Sequence, residues 1–254
     1  MIAMDNKLKW REQFETEREY FFAPPEPFKN WERNSKPEWI AERYFVNALE
    51  VLYASVEREL PRIFLSATVE LLDRAFDEDR FHAQYAEYGL PKNIGEALRV
   101  RTYTKALMGE PLAVDDLKQG SEHYIEWCSG WKGADWDSQA QSDYLTAVRI
   151  ALIAGDLNYA KELLATKRKF KWHAEEHQLL LEIAHEAEEG IPINNLDLRD
   201  RVDRFFDLIR DPDFKPDVFF PTDMGRFEWG VLVYKYFVGR NRIDWPAVIN
   251  LISR

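Results

Sequence analysis

Apolar residues recur at spacings of three and four along much of the chain, and this periodicity predicts α-helices. The clearest helix starts near Ser35 and extends to residue 60. Ser35 and Glu38 make a capping-box pattern, with Pro37 near the first helical position. Pro61 should end or kink this helix, because proline supplies no amide donor. Its buried stripe consists of Ile40, Tyr44, Ala48, Val51, Leu52 and Val56.

The same periodicity predicts further helices on both sides. Residues 8–22 form a charged helix that stops at a group of prolines, and residues 63–76 form another. Asn93 and Glu96 are spaced as the cap of the next helix. Residues 171–189 and 196–210 are also predicted to be helical, whereas the Pro- and Phe-rich segment 211–221 should cross the surface. Alternation with period two is nearly absent, so strands are not expected.

A glycine followed by an acid recurs between helices, as Gly109-Glu110 and as Gly155-Asp156. Gly239, which precedes Asp244, is a looser third case. Glycine just past a helix can adopt the left-handed conformation that satisfies the last carbonyls, and the acid favours the next amino terminus. The predicted fold class is therefore all-α, an irregular stack of antiparallel helical hairpins like a HEAT or TPR array without a fixed repeat.

With 254 residues the chain is long enough for one large core. We expect a single all-helical domain over residues 1–254, with an N-terminal helix and Pro-rich connection at 1–36 and the hairpin stack at 37–254. The single cysteine, Cys128, and the charged amino terminus predict a cytoplasmic protein. The apolar stretch 229–238 is too short to cross a bilayer, which takes about 20 residues.

Charge limits the choice of partner. Asp plus Glu number 45 against 34 Lys plus Arg, which gives a net charge of -11. Such a charge opposes attraction to a phosphate backbone, so nucleic acid is not expected as a partner. A membrane is not expected either, because the apolar stretches are too short to span one. The net charge favours a basic protein partner, although ordinary solubility accounts for the charge of most acidic proteins.

One motif points to metal chemistry, the sequence from His173 through Glu176 to His177, which has the HxxEH spacing of inverted zinc peptidases. Two histidines one turn apart could bind zinc, and the glutamate could act as a general base. A third ligand is not identifiable. The alternative is that all three residues lie on the solvated side of a helix whose core face carries Leu179, Leu180, Ile183 and Ala187. We expect no cofactor and no catalytic residues.

Cys128 invites a nucleophile hypothesis because His123 is close in sequence. Five residues apart on a helix, however, the two side chains point in different directions. A buried structural thiol is the better interpretation.

The segment 127–137 contains three tryptophans and two aspartates. Aromatic anchors beside acids suit a basic protein partner, so Trp131, Asp135, Trp136 and Asp137 are candidate binding residues. Alternatively, the tryptophans lock a connection between hairpins.

A central stretch of the chain resembles the central hairpin of all-helical immunity proteins of bacterial polymorphic toxin systems. It comprises Tyr144, Arg149, the run 151–156, Ala160, Leu163 and Leu164. The resemblance implies a stoichiometric inhibitor that binds a toxin domain and has no chemistry of its own. A helical-repeat scaffold or regulatory adaptor, and a zinc-dependent hydrolase using His173 and His177, are the alternatives.

Overall fold

The structure is a computed structural model that describes residues 59–77, 91–130, 136–171, 173–189, 197–198, 200–204, 223–237 and 243–252. The helix predicted at 8–22, the segment 211–221 and the turn at Gly239 lie outside these ranges, and so does the helix predicted from Ser35 to residue 60, except for its last two residues. The described residues contain no strand, and the all-α prediction is confirmed. The helices are α1 (Glu59–Asp77), α2 (Pro91–Leu107), α3 (Val114–Ser129), α4 (Ser138–Ala154), α5 (Leu157–Leu164), α6 (Ala174–Glu189), α7 (Asp223–Phe237) and α8 (Trp245–Ile252).

The chain divides into two compact units. The first unit contains α1 and the second half of α2, from residue 100 onward. The second unit contains the first half of α2 and helices α3 to α8. In the first unit, Asp73 of α1 accepts a hydrogen bond from Lys105 at 2.9 Å. The Arg101 guanidinium carbon lies 4.2 Å from the centroid of the Phe76 ring. Helix α1 begins at Glu59, so Pro61 lies in its first turn, where the missing amide costs nothing.

Helix α4 is the centre of the second unit and packs against α3, α5, α6 and α7. Every residue from Asp143 to Ile153 is buried, because the sequence is apolar around almost the whole helix. Helix α5 also packs against α6, and α7 against α8. No helix among the described residues combines the length and apolar character needed to span a membrane.

The turn at Gly155 has the predicted geometry. Gly155 adopts φ 83°, its amide donates to Leu152 O at 3.0 Å, and the amide of Asp156 donates to Ala151 O at 2.9 Å. The Asp156 carboxylate then accepts from the amide of Tyr159 at 3.2 Å. Both the glycine and the acid therefore act as predicted, and α4 and α5 form a closed hairpin.

Gly109 ends α2 with φ 100° and the same pair of backbone bonds, which confirms its role in the turn. The prediction for the following acid is wrong. Helix α3 starts only at Val114, and the acids in its first turn are Asp115 and Asp116 rather than Glu110.

The start of α2 also differs from the prediction, because the helix begins at Pro91. Asn93 and Glu96 are therefore inside it and buried, and they do not form a cap. Close to these residues α2 touches α3: a Cβ added at Gly95 would lie 2.7 Å from the carbonyl oxygen of Gly120. Only glycine allows the two helices to approach this closely.

Candidate functional site

The HxxEH residues lie at the start of α6, but they are not on a solvated face. Glu176 is 6% exposed, and His173 Nδ1 lies 3.3 Å from its Oε2. The ring of His177 stacks on Phe170 with centroids 4.2 Å apart, and burial lowers the pKa of His177. The prediction that this side of the helix faces solvent is therefore wrong for Glu176.

The partner that holds Glu176 inside the fold is Arg149 of α4. Its Nη1 donates to Glu176 Oε1, its Nε donates to Glu228 Oε2 at 3.1 Å, and its Nη2 donates to Thr146 Oγ1 at 2.8 Å. Burial alone would lower the pKa of Arg149, but attraction by Glu176 and Glu228 outweighs it, and the pKa is raised. Arg149 therefore carries a permanent positive charge between two carboxylates.

A second arginine, Arg99 of α2, extends the network on the other side of Glu228. Its Nη1 donates to Glu228 Oε1 at 3.2 Å, and its Nη2 donates to Glu96 Oε1. The hydroxyl of Tyr124 on α3 donates to Glu96 Oε2, and the Arg99 guanidinium lies 5.4 Å from the centroid of the Tyr124 ring. We call Glu96, Arg99, Arg149, Glu176 and Glu228 the buried ion-pair cluster.

The buried ion-pair cluster joins four helices, with Glu228 at 0% exposure in its centre. Burial would raise the pKa of Glu176, but Arg149 and His173 outweigh it, so the pKa lies below its ordinary value. Desolvating charges costs several kcal/mol per ion and the pairing returns a similar amount. The net stabilisation is therefore small, whereas removal of one partner should be strongly destabilising.

This arrangement bears on the zinc-hydrolase alternative. A general base must have an oxygen available to a reacting water. One oxygen of Glu176 faces Arg149 and the other faces His173. Among the residues that the structure describes, no three His, Cys, Asp or Glu side chains are grouped to hold a metal ion.

Cys128 is a buried thiol, as predicted, with 1% of its surface exposed. Its Sγ lies 3.7 Å from Ala140 O. Burial, followed by the charge of Asp143, raises its pKa to about 12, which suppresses the nucleophilic thiolate. His123 points instead towards Glu126, with 3.5 Å between Nδ1 and Oε2.

The structure describes two of the four candidate binding residues, since Trp131 and Asp135 lie outside its ranges. Trp136 donates from Nε1 to Lys169 O at 3.1 Å and contacts Tyr144 edge-on, with centroids 5.5 Å apart. Asp137 caps α4 by accepting from the amide of Ala140 at 3.0 Å. Both residues thus have roles within the fold, and partner binding by the segment stays a prediction.

The charge beside Trp136 differs from the expected acidic surroundings. The Arg168 guanidinium lies 4.5 Å from the centroid of the Trp136 ring and donates to Cys128 O at 3.2 Å. Arg168 belongs to the segment 167–171, in which Lys167, Lys169 and Lys171 are exposed. The run of cations is visible in the sequence, but a net charge summed over the whole chain conceals it.

The stretch that resembles immunity proteins forms the α4–α5 hairpin. Tyr144 ties the two helices by donating its hydroxyl hydrogen to Leu163 O at 2.8 Å, and Arg149 belongs to the buried ion-pair cluster. Comparisons of the chain with protein-family profiles, with curated proteins and with solved structures gave no match.

Proposed function

We propose that this chain is a non-catalytic binding protein of the cytoplasm, and most specifically an immunity protein that binds and neutralises a cognate bacterial toxin. The observation that carries the proposal is that Glu176 forms a buried ion pair. The one acid that the sequence placed in a catalytic motif is paired with Arg149 inside the core. Cys128, the other candidate for chemistry, is buried as a neutral thiol.

The packing around α4 supports a binding role. Helices α3, α5, α6 and α7 contact α4, and the buried ion-pair cluster ties its middle to α2, α6 and α7. A surface carried on such a framework is formed before the partner arrives, so little conformational entropy is lost on binding.

The exposed face of α3 supports a basic partner. Asp115, Gln119, Glu122 and Glu126 are all exposed and fall at helical spacing on one side of the helix. Together with the net charge of -11 of the whole chain, this face would raise the rate of encounter with a basic toxin domain.

Co-expression with the product of the adjacent gene tests the proposal. We expect that product to arrest growth when expressed alone, and this protein to restore growth and to elute with it as a stable complex. An Asp115→Asn, Glu122→Gln, Glu126→Gln variant should associate more slowly at low salt. If the product is harmless and no complex forms, the immunity proposal is wrong. A complex with a harmless product would favour a scaffold or regulatory adaptor.

A further inference from the structure

The segment between α5 and α6 presents lysines on one side only. Lys167, Lys169 and Lys171 are exposed, whereas Arg168 is half-buried and Phe170 is 7% exposed. Alternation of this kind is that of an extended chain, in which successive side chains point to opposite faces. We call the three exposed lysines the lysine ridge.

The inward side chains fix the ridge to the protein. Arg168 donates to Cys128 O at 3.2 Å, and the backbone of Lys169 accepts from Trp136 Nε1 at 3.1 Å. Phe170 packs against Trp136 and Tyr144, with centroids 5.7 and 5.8 Å away. The lysines therefore project from an anchored backbone, which lowers the entropy cost of binding through them.

Two lysines of the ridge, Lys167 and Lys169, differ from other lysines of the same unit in their pairing. Lys118 Nζ lies 3.3 Å from Asp156 Oδ2, and Lys161 forms an ion pair with Glu188. Within the described part of the chain, neither Lys167 nor Lys169 forms an ion pair. The ammonium groups of Lys167 and Lys169, two exposed residues of an anchored segment, are thus available to an anion from outside.

We propose that the lysine ridge binds an acidic segment of a protein partner in extended conformation, with a carboxylate at every second residue. An extended peptide repeats its side chains on one face at every second residue, and the exposed lysines of the ridge likewise recur at every second residue. Trp136, half-buried beside Lys169, adds an apolar contact at the edge. The inference rests on the proposal that this chain binds another protein.

A peptide segment fits the ridge better than a nucleic acid. The net charge of -11 repels a long polyanion, whereas a short acidic segment meets only the local positive potential. In a complex with a basic toxin, the acidic face of α3 would speed encounter, and the ridge would select the orientation by pairing with one acidic segment.

The test uses the full chain and a fluorescein-labelled eight-residue peptide of alternating Glu and Ser, with binding followed by fluorescence anisotropy at low salt. The Lys167→Ser, Lys169→Ser variant should bind about tenfold more weakly. The matched control is Lys118→Ser, Lys161→Ser, which removes the same charge and should bind within about twofold of the wild type. A peptide of the same composition with its glutamates in one block should bind less tightly than the alternating one.

In the peptide experiment, three outcomes would overturn the proposal: no binding of the alternating peptide by the wild type, equal losses in the two variants, or tighter binding of an eight-residue thymidine oligonucleotide that the ridge variant loses. The proposed function is tested separately. If the ridge variant still restores growth and binds the adjacent gene product with unchanged affinity, the immunity proposal stands and the ridge proposal falls.

Discussion

Arg149 of α4 donates from Nη1 to Oε1 of Glu176 on α6, and the two side chains are only 5% and 7% exposed. This pair places the acid of the HxxEH motif in the core. It also connects the motif to Glu228, because the same guanidinium donates to that carboxylate from Nε. The pair should therefore affect stability, and not only the local shape of α6.

Glu228→Gln should lower the free energy of unfolding by about 3–5 kcal/mol, since it leaves two buried guanidinium groups without their shared counter-charge. Urea denaturation at neutral pH measures the loss. The matched control is Glu182→Gln, which weakens a partly exposed pair with Arg201 and should cost about 0.2–1 kcal/mol. Equal losses in the two variants would contradict the role assigned to Glu228.

Gly95→Ala should destabilise the protein by about 1–3 kcal/mol, because the added methyl group would lie 2.7 Å from the backbone oxygen of Gly120. The thermal midpoint and the urea midpoint should both fall. Gly130→Ala serves as the control, since its Cβ would meet nothing closer than 3.6 Å at a φ of -70°. That change should stay within about 1 kcal/mol of the wild type. A neutral Gly95→Ala would show that the helices do not approach this closely.

Cys128 should be nearly inert in the folded protein. A pKa of about 12 leaves roughly one thiol in ten thousand ionised at pH 8, and the side chain is 1% exposed. Labelling with Ellman's reagent should be at least about a hundredfold slower in the native protein than in urea. Fast, stoichiometric labelling of the native protein would instead support a reactive cysteine.

The contribution of Glu176 to the free energy of unfolding should decrease at low pH. Its pKa is lower in the folded than in the unfolded chain, so its stabilisation is complete above the unfolded pKa of about 4.3 and is lost as pH falls through the folded value. The difference in unfolding free energy between wild type and Glu176→Gln should shrink as pH falls below about 4.3. A difference that grows as pH falls below about 4.3 would contradict a lowered pKa of Glu176.

The turn at Gly155 could be predicted from sequence because every group that forms it lies within a few residues. The left-handed glycine, the two backbone bonds and the cap by Asp156 are all local. The cap predicted at Asn93 is wrong, because another local signal, Pro91, marks the start of the helix. Pro91 already provides a first-turn residue, and the spacing of Asn93 and Glu96 then falls inside the helix.

The location of Glu176 could not be predicted in this way. Counting apolar positions assigns charged residues to the solvated face unless a partner is known, and the partners of Glu176 and Glu228 come from distant helices. The lysine ridge could be predicted from sequence only in part. Its composition is visible in the sequence, but the burial of Phe170 and the bond from Trp136 that turn the lysines outward depend on tertiary contacts.

Glu176 serves the fold as the ion-pair partner of Arg149. A double-mutant cycle of Arg149→Met and Glu176→Met, measured by urea denaturation, tests this role most directly. We expect a coupling energy of about 1.5–3 kcal/mol, against about 0.2–1 kcal/mol for the partly exposed pair of Arg201 and Glu182. A coupling between Arg149 and Glu176 no larger than that of the exposed pair would contradict the claim.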